Sequence, residues 1–218
     1  MSRFAVKCAM QEKQRILAVI LAGGLARRMD GARKPLLRLG GGRLIDRIAA
    51  NARAQGLDVA LNLHALTEDA AAPYRDLGLP LVADAMPDRA GPLAGILGAL
   101  DHAAAQNYAA VLSLPCDAPF LPDDLARRLA EAARKTRDGL ACAASGGRVH
   151  PVIALWPAAL RDALRTALID EGARAVGAFQ RRFDCAAVAW PVAPRDPFAN
   201  INTPADLAEA EALLRLDP

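Results

Sequence analysis

Four cations fall within eight positions just after a pair of glycines: Arg27, Arg28, Arg33 and Lys34 follow Gly23-Gly24. Paired glycines let the backbone approach a ligand with its N–H groups aimed at it. Such a nest beside guanidinium and ammonium groups suits a nucleoside triphosphate. The plainer alternative is a glycine turn whose cations face solvent. No Gly-Lys-Ser/Thr follows, so the loop is not a Walker A sequence, and Gly-x-Gly-x-x-Gly is absent as well. Asp117 stands just beyond an apolar run ending at Leu114. A carboxylate there can hold Mg2+ and, through it, phosphate oxygens; alternatively it caps the helix that follows. Cys116 beside it reads as a small packing residue. Asn62 and Asp84 end two further apolar runs, where each could instead satisfy loop backbone groups.

These side chains need elements to position them. Residues 16–22 form a continuous apolar run closed by glycines, the pattern of a strand buried on both faces. Strands are expected also over 58–63, 79–83, 109–114, 140–145, 152–156 and 183–188, with Gly146-Gly147 as a turn. Helical spacing covers 43–55, 92–105, 122–135, 158–168 and 172–179. Asp123 and Asp124 are expected in the first turn of the 122–135 helix, and Arg134 and Lys135 in its last. Gly91-Pro92-Leu93-Ala94-Gly95 opens a helix either for a ligand at its N-terminus or for close packing. Thr203, Pro204 and Asp206 start the final helix with a capping box. The alternation predicts an α/β fold: a Rossmann-like, mostly parallel sheet with helices on both faces. Ligands then bind beyond the carboxyl ends of the strands, at the loops after Ala22, Leu63, Ala83 and Leu114.

Composition narrows the classes. A chain of 218 residues with 53% hydrophobic and 23% charged residues fits one folded domain and excludes intrinsic disorder. A net charge of +3 without a basic run gives no signal for nucleic acid. No stretch nears the ~20 apolar residues of a membrane span. Residues 1–15 are polar, lack a signal-peptide core, and are expected to stand outside the domain as a candidate for disorder, leaving 16–218 as a single domain. Cys8, Cys116, Cys142 and Cys185 are too scattered for a zinc site or disulfide framework, as suits a reducing cytoplasm.

Leu21-Ala22-Gly23-Gly24, then Arg28-Met29 and Lys34, resemble the signature of nucleotidyltransferases of Rossmann-like fold. Asn62, Asp84, Gly91-Pro92-Leu93-Ala94-Gly95, Pro115-Cys116-Asp117-Ala118-Pro119-Phe120, His150-Pro151-Val152 and Asn200-Ile201-Asn202-Thr203-Pro204 follow in family order. Within that group the chain is similar to the molybdopterin nucleotidyltransferase family, specifically its molybdenum cofactor guanylyltransferases, over nearly its whole length from Ile16. The chain departs from the family's Gly-Gly-x-Asp-Lys with Asp30-Gly31-Ala32-Arg33-Lys34, which opens Arg33 as an added or substitute phosphate contact.

The resemblance implies transfer of GMP from GTP to molybdenum-bearing molybdopterin, giving the guanine dinucleotide cofactor and pyrophosphate. It assigns GTP binding to Leu21, Ala22, Gly23, Gly24, Lys34, Asn62, Asp84 and Asp117. It gives catalysis to Lys34, Arg28 and Asp117, with Asp117 holding Mg2+. Asn202 and His150 fall on the pterin side, His150 with a structural role as its alternative; Asn200 is expected only to shape the turn. Trp156 and Trp190 read as core rather than as a pterin stack. Implied partners are the two substrates and transient molybdopterin-supplying and cofactor-accepting proteins, with no nucleic acid and no membrane. Family members using CTP typically resemble Leu-Ala-Ala-Gly where this chain has Leu21-Ala22-Gly23-Gly24, so the resemblance takes the second glycine to favour GTP. A molybdopterin cytidylyltransferase and a non-catalytic nucleotide or pterin carrier are the rival readings.

Overall fold

The computed structural model describes residues 15–23, 33–86 and 91–216. The strands are β1 (Ile16–Leu21), β2 (Arg38–Leu39), β3 (Gly42–Arg43), β4 (Asp58–Leu63), β5 (Leu81–Ala83), β6 (Ala110–Pro115), β7 (Leu140–Ser145), β8 (Arg148–Pro157) and β9 (Cys185–Trp190). The helices are α1 (Leu44–Ala54), α2 (Glu68–Ala71), α3 (Pro92–Ala105), α4 (Leu125–Ala133), α5 (Arg161–Ile169), α6 (Val176–Gln180) and α7 (Pro204–Leu216).

Seven strands form one sheet in the order β5-β4-β1-β6-β8-β7-β9. The pairs β1–β4, β1–β6, β4–β5 and β7–β9 are parallel; β8 runs antiparallel to β6 and β7. The mostly parallel sheet expected from the alternation of elements is therefore present. Along β1, Ala18 and Ile20 belong to the core on one face, with Ile45 and Ile48 of α1 and Leu129 of α4. Leu17 and Val19 belong to the other, with Ile96 and Leu97 of α3 and Leu164 of α5. Burial on both faces is why the run is continuous rather than alternating. A third, smaller core joins Leu39 and Leu44 to Ile201 and Ala210, so α7 closes over the β2–β3 hairpin.

Several boundaries differ from expectation. Helix α4 begins at Leu125, not at 122, because Asp123 accepts from Asn51 Nδ2 (2.9 Å) and Asp124 from Trp190 Nε1 (2.8 Å), which commits both side chains elsewhere. Gln55 Oε1 of α1 takes the free N–H of Ala126 at 2.8 Å, a cap supplied from another helix. At its far end Arg134 is the C-cap and Lys135 lies beyond. Strand β8 starts at Arg148 and reaches Pro157, longer than 152–156, because its polar first half pairs with β7 in a hairpin. Strand β9 lies two residues later than 183–188, and α6 spans Val176–Gln180, starting four residues later and ending one residue later than the helix expected over 172–179. Arg15, at the end of the polar extension, donates to Asp58 (2.7 Å) and Tyr108 (2.8 Å); residues 1–14 lie outside the described residues. No helix among the described residues is long and apolar enough to cross a membrane.

Candidate active site

From β1 the chain continues on one side to β4 and β5, then returns to place β6 on β1's other side. A crevice opens where strand order reverses in this way, beyond the strand ends. Here it is a cleft of about 520 Å³. Leu21, Gly23 and Asn62 line one side, Cys116 and Asp117 the middle, and β8 from Arg148 to Ile153 the other.

Lys34 opens a short 3-10 turn with Pro35 second, and its ammonium enters the cleft. Nζ lies 3.0 Å from Asp117 Oδ2 and 2.6 Å from Asn202 Oδ1. The Lys34 and Asp117 side chains are only 20% and 15% exposed, so the charges meet in partial shelter from water. Backbone contacts hold the cluster: Ile201 N–H donates to Asp117 O at 2.8 Å. Asp206 Oδ2 accepts from the N–H groups of Asn202 (2.7 Å) and Thr203 (2.9 Å), while Thr203 Oγ1 accepts from Asp206 N–H (3.1 Å). This is the expected capping box, and its bonds hold Asp206 below the usual carboxylate range. Burial, reinforced by the Asp117 charge, pushes the Cys116 thiol up to about 12, so it is a neutral packing group.

On the β4–β5 side, Asp84 is a brace. One carboxylate oxygen accepts from Asn62 Nδ2 and the other meets His64 Nδ1, each at 3.0 Å. Asn62 also donates to Val82 O (3.2 Å) and is 2% exposed. A Cβ on Gly95 would press into the Asn62 carboxamide and Leu21, so glycine there serves close helix–sheet packing. A Cβ on Gly23 would lie 3.1 Å from His64 N and 3.5 Å from the Asp84 carboxylate, which ties the start of the glycine turn to the same brace.

On the β8 side the ladder breaks. Cys142 pairs with Ala154, but Ala143 pairs with His150, so residues 151–153 bulge away from β7. Pro151 has no N–H to give a ladder, and the displaced carbonyls are taken up by side chains: Pro151 O by Gln180 Nε2 (2.9 Å) and Val152 O by Ser113 Oγ (2.5 Å). His150, which lines the cleft, has Nε2 2.7 Å from Ser145 Oγ, and Ser145 Oγ is 2.8 Å from Asp196 Oδ1.

Of the residues named from the sequence, Leu21, Gly23, Lys34, Asn62, Asp84, Asp117 and His150 line the cleft, as does Asn200. Asn202 joins them through Lys34, and Ala22 donates its N–H to Asn62 O at 2.9 Å behind the lining. Gly24 and Arg28 lie outside the described residues. Arg33 donates to the carbonyls of Asp69 (3.1 Å) and Ala70 (3.4 Å), so its guanidinium is engaged by α2. Trp156 and Trp190 are buried in the core. Sequence reasoning missed His64, Ser145 and Asp196. His64 directly follows β4, in one of the loops the fold singles out; Ser145 and Asp196 carry no spacing signal.

Fold and cleft together are those of an α/β nucleotidyltransferase. The chain belongs to the MobA-like NTP transferase domain family, whose model matches residues 18–185. It is 46% identical over 201 residues to a molybdenum cofactor guanylyltransferase of Bradyrhizobium sp. (strain ORS 278), covering 91% of this chain and 93% of that protein. Its fold matches a molybdopterin-guanine dinucleotide biosynthesis protein A from Archaeoglobus fulgidus with TM-score 0.72 and 22% identity, over 92% of this chain and 99% of that one. A 4-diphosphocytidyl-2C-methyl-D-erythritol synthase from Anaerococcus prevotii matches with TM-score 0.73 and 17% identity, over 95% and 99%.

Proposed function

We propose that this protein transfers GMP from GTP to molybdenum-bearing molybdopterin, forming the guanine dinucleotide cofactor and releasing pyrophosphate, with residues 16–218 acting as one nucleotidyltransferase domain. The observation that carries the reading is the Lys34 ammonium held between Asp117 and Asn202 at the mouth of the parallel strands. A terminal phosphate oxygen of the pterin attacks the α-phosphorus of GTP in line. The bond from that phosphorus to the bridging oxygen breaks, and its electron pair leaves with pyrophosphate. The phosphate is already ionised at neutral pH, so no residue need take its proton. Catalysis is positioning and charge neutralisation. Gly23 and Gly24 offer backbone N–H groups, and Lys34 and Arg28 offer charge, to the triphosphate and the departing pyrophosphate. Asn62 and Asp84 support the nucleotide side, with Leu21 and Ala22 at the strand end; Asn202 and His150 serve the pterin side.

Asp117 and Asn202 supply a carboxylate and an amide oxygen, hard donors that suit a divalent cation, specifically Mg2+, which keeps waters and takes its remaining ligands from phosphate. When bound there, Mg2+ would neutralise phosphate charge as the leaving group forms. The protein would work in the cytoplasm, receiving molybdopterin from one protein and passing the finished cofactor to another. The test is pyrophosphate release with molybdopterin as acceptor, comparing GTP with CTP. Strong preference for GTP is expected. Equal use of CTP, or nucleotide binding without turnover, overturns the reading.

A further inference from the structure

Ser145 has one hydroxyl proton, and two neighbours 51 and 5 residues away share its oxygen: Asp196 at 2.8 Å and His150 at 2.7 Å. An ionised carboxylate only accepts, so the Ser145 proton goes to Asp196. The Ser145 oxygen must then accept from His150 Nε2–H. The remaining ring nitrogen, Nδ1, has no hydrogen-bond partner among the described residues. In a neutral imidazole that nitrogen is an acceptor. Burial, reinforced by the Arg148 charge and opposed by Asp196, favours the neutral ring and holds its pKa below the usual histidine range.

The surroundings are built to keep this ring in place. The bulge at 151–153 breaks the strand pairing next to His150, and Gln180 and Ser113 satisfy the carbonyls it displaces. Phe198 packs against the ring at a tilt of 51°, with centroids 5.0 Å apart. Asp196 also accepts from Phe198 N–H at 3.0 Å, four residues before Asn200 and six before Asn202. One carboxylate therefore sets both the histidine and the segment that reaches Lys34. Strand β8 is two strands from β1, about 10 Å across the sheet, which separates His150 from the glycine turn.

We propose that Asp196 and Ser145 fix His150 as the tautomer protonated at Nε2, so that Nδ1 is a hydrogen-bond acceptor selecting the acceptor substrate through one of its N–H donors. This rests on the reading of that substrate as a pterin, a heterocycle whose amino and ring N–H groups supply such donors. His150 is a specificity residue; Ser145 and Asp196 are positioning residues. No proton is transferred.

Two measurements test this. The first is 15N NMR of histidine-labelled protein at neutral pH, in which His150 is one of three histidines. The Nε2–H tautomer is expected in the wild type, a mixture in Ser145→Ala, and restoration in Ser145→Thr. A ring protonated at Nδ1 overturns the proposal. The second is steady-state transfer. His150→Phe keeps an aromatic ring against Phe198 but removes the acceptor, and is expected to raise KM for the pterin about tenfold while leaving KM for GTP unchanged. His150→Asn, with its amide oxygen near the Nδ1 position, should recover most of the loss. An unchanged pterin KM in His150→Phe overturns the proposal. A wild type that releases no pyrophosphate from GTP and pterin refutes the guanylyl-transfer reading instead, and the spectrum still decides the tautomer.

Discussion

Lys34 and Asp117, 83 residues apart, meet with Nζ 3.0 Å from Oδ2 where β6 ends and the cleft begins. Each charge compensates the other while partly sheltered from water. Removing either one leaves its partner in a medium that penalises an isolated charge. Binding a triphosphate offers the ammonium a new anion and frees the carboxylate for a divalent cation.

Lys34→Ala should lower kcat/KM for GTP roughly 100-fold or more, the scale of losing one positioned electrostatic group. Arg33→Ala should leave it nearly unchanged, because the Arg33 guanidinium is bonded to the Asp69 and Ala70 carbonyls. Steady-state kinetics on both variants decides the matter; a larger loss for Arg33→Ala would assign the phosphate contact to the wrong residue.

Asp117→Asn should nearly abolish transfer and weaken the response of activity to added Mg2+, with the fold retained. Retention is expected because Ile201 bonds the Asp117 backbone carbonyl rather than its side chain. Circular dichroism and a Mg2+ titration of the rate provide the check. Turnover like the wild type's would remove Asp117 as the metal-binding acid.

Asp84→Ala should destabilise the protein by about 1–3 kcal/mol, since it leaves the buried Asn62 amide without one acceptor and His64 without its partner. Urea unfolding measures this. GTP affinity should fall as well, because Gly23 packs against the same carboxylate. A variant with full stability and weakened GTP binding would recast Asp84 as a direct ligand contact.

His150 provides a pH test. Its folded pKa lies below the unfolded value because burial penalises the charged ring. The unfolded chain therefore takes up this proton first as pH falls. The stabilising contribution is complete above about pH 6.5, the ordinary histidine value, and is lost as pH drops from there through the folded pKa. The Tm difference between wild type and His150→Phe should shift against the wild type across that window. A difference that stays constant with pH would show that the ring is not held neutral by the fold.

Strands β1, β4, β6 and β7 were legible because burial on both faces leaves a mostly apolar run without alternation. The first half of β8 was not, since Arg148, Val149 and His150 face the cleft mouth and carry no apolar period. The start of α4 was hidden for another reason: its cap comes from Gln55, 71 residues away. Hairpin β2–β3 and helix α2 are too short to show periodicity. In the site, Lys34, Asp117 and Asn202 were named through ordered family motifs. The Asp196–Ser145–His150 chain depends on a bulge and a loop return that no local spacing encodes. Asp84 was named for GTP binding through the same motifs, but its links to Asn62 and His64 follow from the neighbouring ends of β4 and β5 rather than from any spacing.

Strand β8 joins the sheet antiparallel to both neighbours, pairing Ala110–Ser113 of β6 with Ala154–Pro157. During synthesis this imposes an order. Once the chain has emerged to Pro115, all the strands of the β5-β4-β1-β6 block exist, but β6 presents a bare, apolar edge until β8 follows. An unpaired edge of that kind is a template for another chain's strand. While α4 and β7 are being made that edge stays open to aggregation, and the exposure ends when the strand carrying His150 docks.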